Sequence, residues 1–235
     1  MNKKNIIFCF IFARGGSKGI KNKNLVKLDG KPLLYYSIKI AKKIKFIKKI
    51  FVSTDNKDIA RYAKKNKVYV IERPKKLSQD NSSEIDAWKH AIKFLRKKKL
   101  VFNTFLSLPT TSPLRNKSDV INSLKMLKKG TDIVLTGSKS KRNPWFNMAI
   151  KKKNGFYRIV NNNQKTVYNR QAAPKVIDLT TIAYAADVSY ILKAKNYFDG
   201  NVKVNLIPSS RAVDIDDKND LNYAKYLLKI KKKKQ

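Results

Sequence analysis

Short apolar runs of strand length alternate with longer segments of helical period through the first 138 residues, and no other feature limits the fold as strongly. Ile6–Phe12 reads as a strand and Pro32–Ile44 as a helix, with Pro32 suited to its first turn. Ile50–Ser53 is a second strand, and Asp55 or Asn56 can cap the helix that follows through Lys65. Val68–Ile71 is a strand; Ser82 or Ser83 begins a helix to about Lys97. Phe102–Leu108, Lys117–Lys129 and Asp132–Ser138 continue the rhythm as strand, helix, strand. Such alternation predicts an α/β fold with a parallel sheet and helices on both faces. Ligands of these sheets bind outside the carboxyl ends of the strands. The stretch after Phe12, Thr54-Asp55, Pro109–Arg115 and Gly137-Ser138 all fall there, which predicts one shared site.

From Lys139 to Thr180 the helical period is lost. Lys151–Gly155 reads as a hairpin turn, with Arg142–Ile150 and Phe156–Val160 as its arms. This divides the chain into an α/β domain, residues 1–138 and 181–235, and a small β-containing lobe, 139–180. An ordinary surface insertion is the other reading of the lobe. Tyr184–Leu192 returns to the sheet, Lys203–Ile207 is a short strand and Lys218–Leu228 a closing helix. Lys229–Gln235 reads as a frayed basic tail.

Phe12–Leu25 carries Gly15, Gly16 and Gly19 together with Arg14, Lys18, Lys21 and Lys23. The glycines permit positive φ and let main-chain N–H groups approach a ligand, and such turns form anion-binding concavities. The cations suit a polyphosphate. Lys18 is followed by Gly19, so this is not a Walker A loop, and the adjacent Gly15-Gly16 break the dinucleotide fingerprint. Near the other end, Asp214 and Asp216 flank Ile215 and point to one side if the segment is extended. Two carboxylates there make a hard oxygen site suited to Mg²⁺. The alternative is a polar loop capping the last helix, although Asp217 and Asp220 can take that role.

The 235 residues are 42% hydrophobic, enough for a full core. The net charge of +38 raises nucleic acid as a partner. The lysines are spread over nearly every helical segment and aromatic residues do not interleave with them, so no specific nucleic-acid partner is expected. The positive field would still draw anionic substrates. Cys9, the only cysteine, reads as a small buried hydrophobe, and His90, the only histidine, as structural. The apolar run after Lys3-Lys4 imitates a signal peptide, but Ala13-Arg14-Gly15-Gly16 is no small-residue cleavage site. No segment reaches membrane-spanning length, so a cytoplasmic protein without a membrane partner is expected.

A-R-G-G-S-K-G-I-x-x-K-N at 13–24 resembles the opening motif of the CMP-sugar synthetases, cytidylyltransferases that activate acidic keto sugars such as N-acetylneuraminic acid. V-S-T-D at 52–55, R-P-x-x-L-x-x-D at 73–80, T-S-P-L-R at 111–115 and D-I-D at 214–216 extend the resemblance in order along nearly the whole chain. It implies a Rossmann-like three-layer nucleotidyltransferase fold with a mostly parallel sheet, and a small lobe that reaches across to a partner in a homodimer. It implies CTP and a keto-sugar acid as substrates, Mg²⁺ as cofactor, and a CMP-sugar and pyrophosphate as products.

By the same resemblance, Arg14, Lys18 and Lys23 hold the triphosphate, and Asp214 and Asp216 carry the metal. Ala13, Gly15, Gly16, Ser17, Asn24, Arg73 and Ser82 complete the nucleotide side; Arg170, Gln171 and Tyr184 match positions on the sugar side. The departures lie on the sugar side: Pro109 in place of glutamine, Asn169 in place of the first arginine of R-R-Q, Thr180-Thr181 in place of N-G, and Trp145-Phe146 where a lysine is usual. The resemblance therefore implies cytidylyl transfer more closely than any one sugar; a sialic or related nonulosonic acid is the expected acceptor class, with an eight-carbon keto-sugar acid as the alternative. A nucleotide-sugar-dependent glycosyltransferase and a basic nucleic-acid-binding module are the readings from other classes.

Overall fold

The structure, a computed structural model, describes residues 5–161 and 167–233. In chain order the elements are β1 (Ile7–Phe12), β2 (Lys27–Leu28), β3 (Lys31–Pro32), α1 (Leu33–Lys42), β4 (Ile47–Thr54), α2 (Lys57–Lys65), β5 (Tyr69–Glu72), α3 (Glu84–Lys97), β6 (Thr104–Ser107) and α4 (Lys117–Met126). They continue with β7 (Ile133–Lys139), β8 (Ala149–Lys151), β9 (Tyr157–Ile159), β10 (Ile177–Asp187), α5 (Val188–Lys193), β11 (Val202–Leu206) and α6 (Lys218–Lys233). Seven strands form one sheet in the order β11-β7-β10-β6-β1-β4-β5. All neighbours run parallel except β10, which is antiparallel to both β6 and β7. β2-β3 and β8-β9 are separate two-stranded hairpins.

β1 shows why the molecule has three layers. Cys9 and Ile11 join one core with Leu34, Ile38, Ile59 and Val120, from α1, α2 and α4. Phe8 and Phe10 join the other with Ile85, Trp88, Ile92 and Ile191, from α3 and α5. A strand buried on both faces reads as a near-continuous apolar run, and I-F-C-F-I-F does. A third cluster holds the end of the chain in place: Ile215, Leu221 and Ala224 pack with Leu28, Leu33 and Leu114.

Several local expectations change. The strand expected at Tyr184–Leu192 begins earlier, at Ile177, and ends at Asp187, whose carboxylate accepts from the N–H groups of Ser189 and Tyr190 and starts α5. The hairpin arms shorten to three residues each. Pro32 stands one residue ahead of α1 as its N-cap. The expected frayed tail is helical through Lys233, because Leu227 and Leu228 pack against the third cluster and carry the helix forward. Asn56, not Asp55, caps α2, accepting from Asp58 and Ile59 at 2.9 and 3.0 Å.

Asp119 ties α4 to the segment after β11. Its side chain is 4% exposed and meets the Arg211 guanidinium through both oxygens, at 2.7 and 3.0 Å. Its Oδ2 also accepts from the Asn116 N–H at 2.8 Å. Asp119→Ala strands a guanidinium and a helix-start donor together, and is expected to lower stability by about 2 kcal/mol. Urea denaturation of the variant and the parent measures it.

Candidate active site

The carboxyl ends of β1, β4, β5 and β6 meet at one edge of the sheet, and the loops leaving them are bonded to one another. Past β1, Ala13 N–H donates to the Ser53 carbonyl at 3.0 Å and Gly15 N–H to Asp55 Oδ1 at 2.9 Å. Asn24, buried, donates to the Arg14 carbonyl at 2.8 Å and accepts from the Thr110 hydroxyl. Asn24 thus ties the loop after β1 to the loop after β6.

Gly15 and Gly19 are needed for room, not for dihedral freedom. Among the described residues positive φ belongs to Gly30, Gly130 and Gly155, and to four non-glycines including Asn22 within the loop, but not to Gly15, Gly16 or Gly19. A Cβ at position 19 would stand 2.2 Å from the Asp216 carbonyl oxygen, and one at 15 would stand 3.0 Å from Asn56 Cβ. Position 16 meets nothing within 4 Å. The loop is therefore pressed at Gly19 onto the D-I-D segment and open at Gly16.

The D-I-D segment is itself anchored. Ile215 is 0% exposed and its N–H donates to the Thr111 carbonyl at 2.9 Å. Asp217 accepts from the N–H groups of Asn219 and Asp220, while Asp220 accepts from those of Asp216 and Asp217. That reciprocal cap starts α6 and leaves the side chains of Asp214 and Asp216 free of capping.

A cleft of about 550 Å³ results. Of the expected residues, Arg14, Ser17, Lys18, Lys23, Asn24, Arg73, Ser82 and Asp216 line it. Ala13 is fully buried beneath. Lys23 Nζ lies 2.7 Å from Asp216 Oδ1, joining residues 193 positions apart. Asp214 is half-buried, and its Oδ1 is buried without a hydrogen-bond partner. Tyr184 is only 8% exposed and packs in the core against Trp88 and Tyr197. Arg170 and Gln171 do not reach this cleft; they line a separate hollow with Lys141, Arg142 and Lys175.

Carboxylates already stand against the loop's cations. Arg14 and Lys18 share Asp80, at 2.8 and 2.7 Å. The hydrogen bond from Lys18, with that from Arg14, holds the Asp80 carboxyl below its ordinary range. This pairing is therefore intact at neutral pH and is lost only as pH falls through that lowered value. Deeper in, Arg73 donates to the Ser53 carbonyl at 3.0 Å and lies over the Phe12 ring, and burial lowers its pKa to about 10. Arg115 is fully enclosed behind the T-S-P-L-R turn, bonding Ser37 Oγ at 2.8 Å and the Pro109 carbonyl; burial lowers its pKa to about 10 as well. It holds the turn that carries Thr110 and Thr111.

Sequence reasoning did not single out Asp80 or Glu84 as lining residues, whereas Pro109, Thr110 and Thr111 come from the Pro109–Arg115 stretch expected at the site. Asp80 closes the R-P-x-x-L-x-x-D motif, so a signal was present. Glu84 sits in the first turn of α3, where an acid reads as a partner of the helix dipole.

Residues 8–204 match the cytidylyltransferase family. The post-translational flagellin modification protein B of Campylobacter coli is 32% identical, with 96% of each chain covered. The CMP-N,N'-diacetyllegionaminic acid synthase of Campylobacter jejuni is 31% identical, also over 96% of each. In fold, the chain is similar to CMP:2-keto-3-deoxy-manno-octonic acid synthetase complexed with CTP, with a TM-score of 0.73 at 12% identity, covering 97% of this chain and 100% of that one. Motif order, sheet and relatives matched nearly end to end agree: the chain belongs to the cytidylyltransferase family, and so to the nucleotidyltransferases.

Proposed function

We propose that the protein transfers CMP from CTP to the anomeric hydroxyl of a nonulosonic acid, releasing pyrophosphate. The observation that carries this is the meeting of Lys23 and Asp216 across one cleft, with Arg14 and Lys18 beside them. Arg14, Lys18 and Lys23 take the triphosphate in place of Asp80 and Asp216, and neutralise the pyrophosphate as it leaves. Gly16 and Ser17 present open main chain to the same phosphates, and Asn24 keeps that loop in register. The cleft's walls hold donor and acceptor in line, which is most of what such a transfer requires. The 31% identical relative, named for CMP-N,N'-diacetyllegionaminic acid, favours the nonulosonic class; the eight-carbon alternative has only a fold likeness behind it.

Mg²⁺ fits the residues present. Asp214 offers a buried oxygen with no protein partner, and Asp216 a largely exposed carboxylate two positions away. Mg²⁺ keeps several waters and takes substrate phosphates, so two carboxylates suffice on the protein's side. Bound there, the ion would supply Lewis-acid polarisation of the phosphate and of the attacking hydroxyl.

The lobe of residues 139–180 serves as the dimerisation and acceptor-side element of a homodimer, and Arg170 and Gln171 act from its cationic hollow. A guanidinium fork there suits a substrate carboxylate. The cytoplasm is the proposed place of this reaction. Among the described residues no helix is long and apolar enough to cross a membrane. Incubation with CTP and a panel of keto-sugar acids, scored by pyrophosphate release, tests the activity. Release with a nonulosonic acid is expected; none with any member of the panel would discard it.

A further inference from the structure

Glu84 opens α3 and lines the cleft beside Arg73 and Phe12. Its Oε2 accepts from the Tyr197 hydroxyl at 2.6 Å, which fixes the carboxylate's position. A carboxylate has four acceptor sites, so the Tyr197 hydroxyl, with the Trp88 indole beside it, leaves acceptor capacity on a residue that lines the cleft. Glu84 is in no ion pair among the described residues, unlike Asp80 and Asp216, which line the same cleft. Arg73 stands nearby with a buried Nε that has no hydrogen-bond partner. A donor-only group and an acceptor group thus share one end of the cleft without neutralising each other. Phe12, Ala87 and Pro109 add flat or small apolar surface to its walls.

This arrangement is complementary to one nucleobase edge. Cytosine presents its 4-amino donor beside a ring-nitrogen and a carbonyl acceptor; uracil carries a carbonyl oxygen where cytosine has the amine. We propose that Glu84 is a specificity-determining residue that accepts a hydrogen bond from the cytosine 4-amino group, while Arg73 donates to the acceptors beside it, so that CTP is taken and UTP refused. The inference rests on the use of CTP proposed above and names the group that selects it. Against UTP the carboxylate would face another acceptor with water excluded, leaving two buried acceptors unpaired. A site built around a substrate's hydrogen bond rejects the analogue lacking it far more strongly than a merely apolar pocket does. Burial raises the Glu84 carboxyl above its ordinary pKa, which agrees with a partly desolvated acceptor at the base of a cleft.

The test is calorimetric binding of CTP, UTP and 2′-deoxy-CTP to the wild type and to Glu84→Gln. The glutamine amide can turn its NH₂ towards the uracil oxygen, so the ratio of UTP to CTP dissociation constants is expected to fall by about 100-fold or more. Glu84→Ala, which removes the acceptor without supplying a donor, should also compress the ratio, through weaker CTP. Partial unfolding weakens the apparent affinity for every nucleotide by the same factor, so the ratio from a partly unfolded variant still gives an answer. A ratio within threefold of the wild type in both variants overturns the assignment. So does a change in the preference for CTP over 2′-deoxy-CTP with the CTP/UTP ratio intact, which would place Glu84 at the ribose. A wild type that binds no CTP at all removes the proposed activity and this inference together, a result separable from an unchanged ratio in a protein that binds CTP.

Discussion

Asp216→Asn is expected to lower turnover on the order of 10²–10³-fold with no measurable loss of stability. The side chain is 75% exposed, so its packing contribution is small. What holds the segment is elsewhere: Ile215 in the apolar cluster, and the Asp216 N–H on Asp220, which the substitution leaves intact. The change removes one negative charge facing Lys23 and weakens the proposed divalent site at the same time. Pyrophosphate release in Mg²⁺, set beside a thermal melt, measures both halves. A variant that melts like the parent and turns over like it would remove Asp216 from the chemistry.

Gly19→Ala should be nearly as damaging, for a different reason. Its Cβ would stand 2.2 Å from a main-chain oxygen, and a carbonyl in an anchored segment cannot swing aside as a side chain can. Either the cationic loop or the D-I-D segment must retreat. A displacement of about 1 Å in a positioning element costs on the order of 10²-fold in rate. The loss is expected in kcat/KM for CTP, and Gly16→Ala, which meets nothing, should leave the melting temperature unchanged. Equal kcat/KM in Gly19→Ala and the parent would show that the two segments need not touch.

The sheet was legible because its strands are buried on both faces and so are continuous apolar runs, as in Ile7–Phe12. The cleft was legible because its cations and glycines cluster in one short stretch. Boundaries failed where a polar residue acts inside an apolar run. Asp187 ends β10 and starts α5, yet its neighbours Ala186 and Val188 are both buried, so periodicity alone ran past it. The reach of α6 was missed because composition showed lysines while the helix is held by Leu227 and Leu228. The glycines were attributed to dihedral freedom because the carbonyl opposite Gly19 lies nearly two hundred residues away. Glu84 was invisible for a similar reason: Tyr197, which fixes it, is 113 residues distant.

The single antiparallel strand has a consequence for how the polypeptide assembles during synthesis. Residues through Ser107 complete β5-β4-β1-β6 as a contiguous half-sheet, but β7, made next, has no earlier strand to pair with. Its neighbours are β10 and β11, and β10 must enter the slot between β7 and β6. Until Asp187 has left the ribosome, the nascent chain carries a bare edge at β6 and an orphan at β7, the kind of surface that recruits other chains. β10 is the keystone: the two halves of the sheet join only when it arrives.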